Sequence, residues 1–435
     1  MSSSRDGIQV VVRLRPLNER ESNNTAARRC LEVVDQASLQ YTGRDAPANN
    51  HFGFDRVYGE QCTQEEAFEG LTETVRSVLQ GFNATIMAYG QTGSGKTHTL
   101  LGDVCDRQQR GVVPRAVAEL GRGIADCQDD CQIKVTLSVI EIYNERIRDL
   151  LDPAKENLQV THDRERGIVV ANATAQPVAN ERDCVELMQR GIAARAVSAT
   201  AMNAGSSRSH CVVYLIVERA FADGRIECGK LCLVDLAGSE RQDKTAAVGL
   251  TAAEGSQINK SLSALGNVVN ALTDPRGKAH VPFRDSKLTR VLQDSLGGTA
   301  RTVIILCCSP SLLNDAETLS SLRFGIRAKG IQNSVQANAV KRTPEQLGKA
   351  LAAAQAEVEA LKQRLALPGS GAGSSGDTPS GTGGLQNSID SSSGPLQPGR
   401  ALGLARGVHK WVLVGALQLA GLVAYFAAAE LLGCA

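Results

Sequence analysis

The 435-residue sequence has no excess of charge of either sign, no CxxC pair, no N-terminal secretory pattern and, from Ile8 to about Asn333, no long compositionally biased run. A formal net charge of +1 excludes a global pull toward nucleic acid or any acidic partner. No nucleic-acid partner is expected, and electrostatic recognition has to come from a local patch. Twelve cysteines would suit a disulfide framework in a small secreted chain, but here they are scattered through a long one, which fits a reducing cytosol. The spacings Cys127 to Cys131 and Cys228 to Cys232 lack the second pair or the histidines that a zinc site needs.

What is present is an alternation of short apolar runs with helical patterns, as in a single α/β domain. Candidate strands are Ile8 to Leu14, Thr85 to Ala88, Ile133 to Tyr143, Cys211 to Val217, Leu231 to Val234 and Thr302 to Cys307. Several lack polar alternation, as strands covered on both faces do. After Pro344 the residues Leu347, Leu351, Ala354, Val358, Leu361 and Leu365 form an a/d seam of about three heptads. The seam predicts a short coiled coil over 343–366, and an amphipathic helix folded back on the domain fits it nearly as well. Residues 367–400, dominated by Gly, Ser and Pro, read as a flexible linker. Residues 411–433 follow, apolar on all faces from Trp411 to Ala429 except at Gln418, with Arg400, Arg406 and Lys410 just upstream. At about 1.5 Å per residue this stretch nearly spans a bilayer core of roughly 30 Å, and its flanks predict a transmembrane tail anchor with everything N-terminal in the cytoplasm.

The octet GQTGSGKT, Gly90 to Thr97, follows one of the apolar runs and precedes a helical pattern, the setting of a phosphate-binding loop. Gly90, Gly93 and Gly95 permit backbone conformations in which the N–H groups of Gln91, Thr92 and Ser94 and those of the following helix surround phosphate oxygens. Lys96 can reach the β and γ phosphates, and the Thr97 hydroxyl can coordinate Mg²⁺. Two further polar runs supply what a hydrolase needs beyond binding. KLCLVDLAGSE ends an apolar run at Asp235, suited to hold Mg²⁺ through water, with the Gly238 N–H placed to meet a γ phosphate. NAGSSRSH adds Asn203, Ser206, Ser207, Arg208, Ser209 and His210.

In this order, GQTGSGKT, NAGSSRSH and DLAGSE resemble the phosphate loop, switch I and switch II of the kinesin motor family. VVVRLRP resembles the family's first strand and base site, HVPFRDSKLTRVLQDSLGG its microtubule-binding loop and helix, and ETLSSLRFGIRAKGIQN its last motor helix. The match covers about Ile8 to Asn338. It implies an α/β P-loop NTPase fold, with a mostly parallel eight-stranded sheet and three helices on each face, over a motor domain at 5–333. By the same resemblance Arg13, Arg15, Pro16 and His98 would frame the adenine, Asn203 would position switch I, and Ser207 would join Thr97 at Mg²⁺. Arg208 would pair with Glu240 to close the two switches around the lytic water. Gly325 stands where the family usually has alanine, and Leu100 where it usually has methionine.

Between Arg276 and Arg290 there are five Lys or Arg residues against one Asp, the local basic patch that the near-neutral chain requires. The resemblance makes Arg284, Lys287 and Arg290 contacts to the acidic tubulin surface, and Asn259, Lys260 and Ser261 the start of a relay helix. It makes 334–342 a neck linker. Together these features predict an ATP-hydrolysing, plus-end-directed microtubule motor using ATP and Mg²⁺, located on the cytoskeleton and carrying or tethering a membrane, with a homodimer available through the short coil. The alternative is a nucleotide-dependent microtubule tether without processive movement.

Overall fold

All six apolar runs form strands of one central sheet, and the register of that sheet explains where the polar motifs meet. In chain order its main strands are β1 (Gln9–Leu14), β2 (Arg56–Tyr58), β3 (Ala84–Tyr89), β4 (Cys131–Tyr143), β5 (Gln176–Pro177), β6 (His210–Phe221), β7 (Arg225–Asp235) and β8 (Arg301–Cys308). They lie in the order β5-β4-β6-β7-β3-β8-β1-β2, with two short strands, Arg146–Asp149 and Ala339–Lys341, added beside β4 and β7. The computed structural model describes residues 4–341 apart from 24–27, 47, 128–130, 164–165, 202–205, 222, 241–249 and 278–279, together with residue 352. The chain divides into two units, Met1–Lys341 and Arg342–Ala435, and this fold is that of the first. The segments expected to form the coiled coil, the linker and the membrane helix lie outside the described residues, residue 352 apart. Among the described residues no helix is long and apolar enough to cross a membrane.

The eight-strand path agrees with the expectation, but the sheet is mixed. From β7 through β3, β8 and β1 to β2 the pairings are parallel. From β7 through β6 and β4 to β5 they are antiparallel. Successive side chains of a strand point to opposite faces, so both faces are apolar. On β8, Ile304 and Leu306 enter one core and Val303 and Ile305 the other.

Helices cover both faces. In chain order they are α1 (Thr72–Ser77), α2 (Lys96–Leu100), α3 (Val112–Ala125), α4 (Glu181–Ala201), α5 (Leu250–Leu272), α6 (Lys287–Val291) and α7 (Asp315–Ala328). One core takes Leu265, Val268 and Val269 from α5, Leu288 and Val291 from α6, and Leu319 and Leu322 from α7. The other takes Val75 from α1, Leu100 from α2, Val117 and Leu120 from α3, and Leu187 and Met188 from α4. Among the described residues three helices cover the first face, as expected, while the second carries these four and also Phe68 of a further helix, Gln64–Glu69. Helix α7 sits close on β8. A Cβ added at Gly325 would fall 2.2 Å from Leu306 Cδ1 and 3.1 Å from Phe54 Cε1, which accounts for glycine at this position.

The parallel register aligns the C-terminal ends of four strands. Asp235 pairs with Ala88, Ile305 with Ala88 and Cys308 with Leu14. Strand β6 runs the other way, so its first residues, His210 and Cys211, arrive at the same edge, with Cys211 opposite Asp235. Loops that leave this edge from different parts of the chain therefore converge, as they do at the ligand-binding edge of open α/β sheets.

Candidate nucleotide site and its couplings

The loop from Gly90 to Thr97 leaves β3, which is buried along its whole length, and runs into α2. Its glycines are needed where the backbone enters conformations hostile to a side chain. Gly90 has φ 147°, and a Cβ there would meet the Cys307 carbonyl oxygen at 2.2 Å. Gly95 caps α2 with φ 98°. Lys96 Nζ donates to the Gly90 and Gln91 carbonyls at 2.9 and 2.8 Å. Burial lowers the pKa of its ammonium group, against the nearby Asp235 carboxylate.

Thr97 and Asp235 meet at the centre of the site, Thr97 Oγ1 donating to Asp235 Oδ2 at 2.7 Å. Asp235 is buried, and its Oδ1 has no hydrogen-bond partner in the structure. A hydroxyl beside a buried carboxylate with a spare oxygen is a hard-donor arrangement that fits Mg²⁺. Ser207 stands next to it through the backbone: its carbonyl accepts from Gly238 N–H at 2.9 Å, so the N–H expected to meet a γ phosphate is here donated to switch I.

The basic residues near β1 are engaged by neighbouring protein groups. Arg13 is buried and turned inward, donating to Gln64 Oε1 at 2.8 Å and Thr99 Oγ1 at 3.1 Å. Because Arg13 holds the Gln64 oxygen, the Gln64 amide nitrogen faces His98, donating to its carbonyl at 2.8 Å and lying 3.2 Å from its Nε2. Arg13 is therefore linked to His98 through Gln64. Burial, and then the Arg13 charge, lower the His98 pKa. Arg15 donates through Nε to the Gly93 carbonyl at 2.7 Å and grips the Glu21 carboxylate with both terminal nitrogens at 2.6 and 2.7 Å. Those hydrogen bonds hold the Glu21 carboxyl below its usual range. Pro16 and His98 are exposed at the rim.

Glu240 faces the phosphate loop. Its Oε2 accepts from Thr92 N–H at 2.8 Å and its Oε1 from the Thr92 hydroxyl. Both carboxylate oxygens are thus engaged by Thr92, and the expected pairing of Glu240 with Arg208 is not the one in this structure. Asn203 and the Ser206 side chain lie outside what is described.

Two residues whose roles the sequence left unassigned, Arg195 and His210, complete the site. Arg195, buried on α4, donates to the Ser209 carbonyl at 2.9 Å and to Asp235 Oδ2 at 3.4 Å, with Glu141 Oε1 at 3.7 Å. His210 accepts at Nδ1 from Ala237 N–H at 2.9 Å, which places its proton on Nε2, 2.8 Å from Ser261 Oγ on α5. Burial, then the charges of Arg195 and Lys96, push its pKa down to about 3, so the ring is neutral. The end of switch I, the start of switch II and α5 are joined through one imidazole. A second link runs from the phosphate loop to α7, where Tyr89 stacks on Phe324 with ring centres 4.0 Å apart.

The residues assigned to the track share one layer. Lys260 on α5 and Arg284 just before α6 are exposed, and Lys287 and Arg290 on α6 are half-buried. Glu145 Oε2 accepts from the Lys287 N–H at 2.7 Å and so secures the first turn of α6. Lys287 Nζ donates to Gln159 at 2.9 Å.

Beyond α7 the expected neck linker is laid along the domain. Gln332–Val335 pairs antiparallel with Ser4–Gly7, and Ala339–Lys341 pairs with Arg225–Glu227 at the start of β7. The boundary expected at 333 falls inside the first of these strands. Asn338 fastens the run between them, its side-chain amide donating to Asn83 Oδ1 at 2.9 Å and Cys228 O at 3.0 Å.

A doubly covered α/β sheet carrying a glycine-rich loop, a buried lysine and a Thr–Asp oxygen pair at its C-terminal edge is a phosphate-loop nucleotide-binding domain. Residues 13–331 match the family described as the kinesin motor domain. The chain is 45% identical over 374 residues to the kinesin heavy chain of Neurospora crassa, covering 84% of this chain and 39% of that protein. It is 43% identical over 347 residues to kinesin-like protein KIN-1 of Arabidopsis thaliana, covering 78% of this chain and 74% of that protein. A solved structure of a fast kinesin, described for its ATPase mechanism and interactions with microtubules, superposes with a TM-score of 0.73 at 44% identity, covering 78% of this chain and 96% of that one. The chain belongs to the kinesin motor domain family, and it spans well under half the length of the heavy chains it matches.

Proposed function

We propose that this chain is an ATP-hydrolysing microtubule motor. The observation that carries this reading is the bond sequence Ala237 to His210 to Ser261, which ties α5 to the end of switch I and the start of switch II. Bound Mg²⁺ would neutralise charge on the triphosphate, and Thr97, Asp235 and Ser207 would hold it. Lys96 exchanges its loop carbonyls for phosphate oxygens, and the backbone of the loop orients the chain of phosphates. Glu240 leaves Thr92 for Arg208 as the switches close, excluding bulk water and aligning the attacking one. Phosphoryl transfer of this kind needs alignment and charge neutralisation and no covalent intermediate.

Closure then has two outputs. Helix α5, with Lys260, and the neighbouring Arg284, Lys287 and Arg290 alter their grip on the acidic track surface. Helix α7 carries the strand segment 332–341 that follows it, and the position of that segment directly after the last motor helix supports plus-end movement. Residues 411–433 anchor the cargo membrane and 343–366 supply the dimer contact. The test is a microtubule gliding assay with ATPase rates measured alongside. ATP-dependent gliding is expected; turnover indifferent to microtubules would overturn the reading, and binding without gliding would reduce the chain to a tether. Removal of residues after Lys410 is expected to release the full chain from membranes, and persistent membrane association would place the anchor elsewhere.

A further inference from the structure

Glu240 is the residue on which closure of the switches turns, yet its carboxylate is held on both oxygens by a single residue of the phosphate loop. The surroundings are fitted to that contact. A Cβ added at Gly238 would lie 2.3 Å from both Glu240 Oε2 and Thr92 Oγ1, so a side chain at 238 would force this contact to shift. The backbone on either side is pinned as well, by Gly238 N–H to Ser207 O at 2.9 Å and Ser239 N–H to Gly90 O at 3.2 Å. The carboxylate is therefore parked beside the loop by a hydroxyl and an amide. Among the described residues the Thr92 hydroxyl has no other hydrogen-bond acceptor.

We propose that Thr92 is a positioning residue that holds Glu240 in a resting place and so sets how often the switches close. The proposal rests on the reading that Glu240 must reach Arg208 for hydrolysis. Two arrangements then compete for one carboxylate, Thr92 in the resting site and Arg208 in the closed one. Hydrolysis proceeds from the closed arrangement, so its rate follows the closed fraction. Removing the Thr92 hydroxyl takes one charge-assisted hydrogen bond from the resting side only. Unlike most substitutions in a phosphate loop, this one is then expected to speed the chemical step.

The test is the pre-steady-state burst rate of ATP hydrolysis by the full chain, without microtubules and at saturating ATP so that altered affinity does not enter, for Thr92→Val, Thr92→Ser and Glu240→Ala. Valine keeps the shape of threonine and serine keeps its hydroxyl. Thr92→Val is expected to raise the hydrolysis rate about threefold or more, and Thr92→Ser to stay within about twofold of the parent. A rate for Thr92→Val that is unchanged or lower, or an equal rise in Thr92→Ser, overturns the proposal. Undiminished hydrolysis in Glu240→Ala overturns the closure reading instead, and the proposal falls with it. Loss in Glu240→Ala with no gain in Thr92→Val removes Thr92 alone.

Discussion

The two ends of strand β7 make a useful contrast. At Asp235 the strand ends among side chains: Thr97, Arg195, the Gly238 turn and the unpaired oxygen of Asp235 itself gather where several chain segments converge. At Arg225 to Glu227 the strand meets the 339–341 segment chiefly through backbone pairing, with Asn338 as the main polar side chain involved. One end is a junction of polar side chains and backbone groups from several chain segments. The other is built for attachment and depends on how well a short strand lies down. A single strand therefore carries the buried Asp235 carboxylate at one tip and the pairing site of the 339–341 segment at the other.

The largest effect is expected where the contrast is sharpest. Lys96→Ala should reduce ATP turnover by at least about a hundredfold while leaving 332–341 seated, so turnover measured beside spin-label mobility at Val340 tests both ends at once. Near-normal turnover would refute the site. His210 gives the next effect. Its folded pKa of about 3 lies below the usual 6.5. Between those values the unfolded chain holds a proton that the folded chain lacks. The contribution is complete above pH 6.5 and is lost as pH falls toward 3, by up to about 1.4 kcal/mol per pH unit. Thermal melts at pH 7 and 5.5 should show a smaller acid-induced drop for His210→Gln than for the parent, and equal drops would contradict the buried neutral ring.

Changes at the attachment end should be gentler. Asn338→Ala removes side-chain bonds to Asn83 and Cys228 and is expected to loosen the 332–341 segment by about 1 kcal/mol and slow gliding, with basal ATPase close to normal. An equal loss of basal ATPase would erase the distinction between the two ends. Smallest is the basic patch. Arg284→Ala should weaken microtubule affinity by a few tenths to about 1 kcal/mol, and the difference should shrink as salt screens the exposed charge. A difference that persists at high salt would argue for a packing contact.

The contrast also governs what the sequence discloses. The phosphate loop is legible because its glycines, lysine and threonine act within eight consecutive residues, and DLAGSE is legible for the same reason. Arg195 is not, because it acts on Asp235 from 40 positions away and nothing in its local sequence marks it. The inward turn of Arg13 escapes prediction too, since it depends on Gln64, 51 positions distant, offering its amide oxygen. Asn338 is ordinary until Gly81, Asn83 and Cys228 are brought beside it. The antiparallel half of the sheet is hidden in a different way: apolar runs reveal strands, while strand direction is decided by connections such as the short turn between β6 and β7.

Gly325 and Leu306 occupy, in effect, one shared volume, divided between a strand and the helix that lies on it. Alanine at 325 requires the Leu306 side chain to shift or to be shortened. The two positions should consequently be exchanged together: Gly325→Ala alone overfills the space, Leu306→Val alone leaves a hollow, and the pair restores the fill. A departure from the family pattern that looks like a loss at one residue is then a transfer of volume to another.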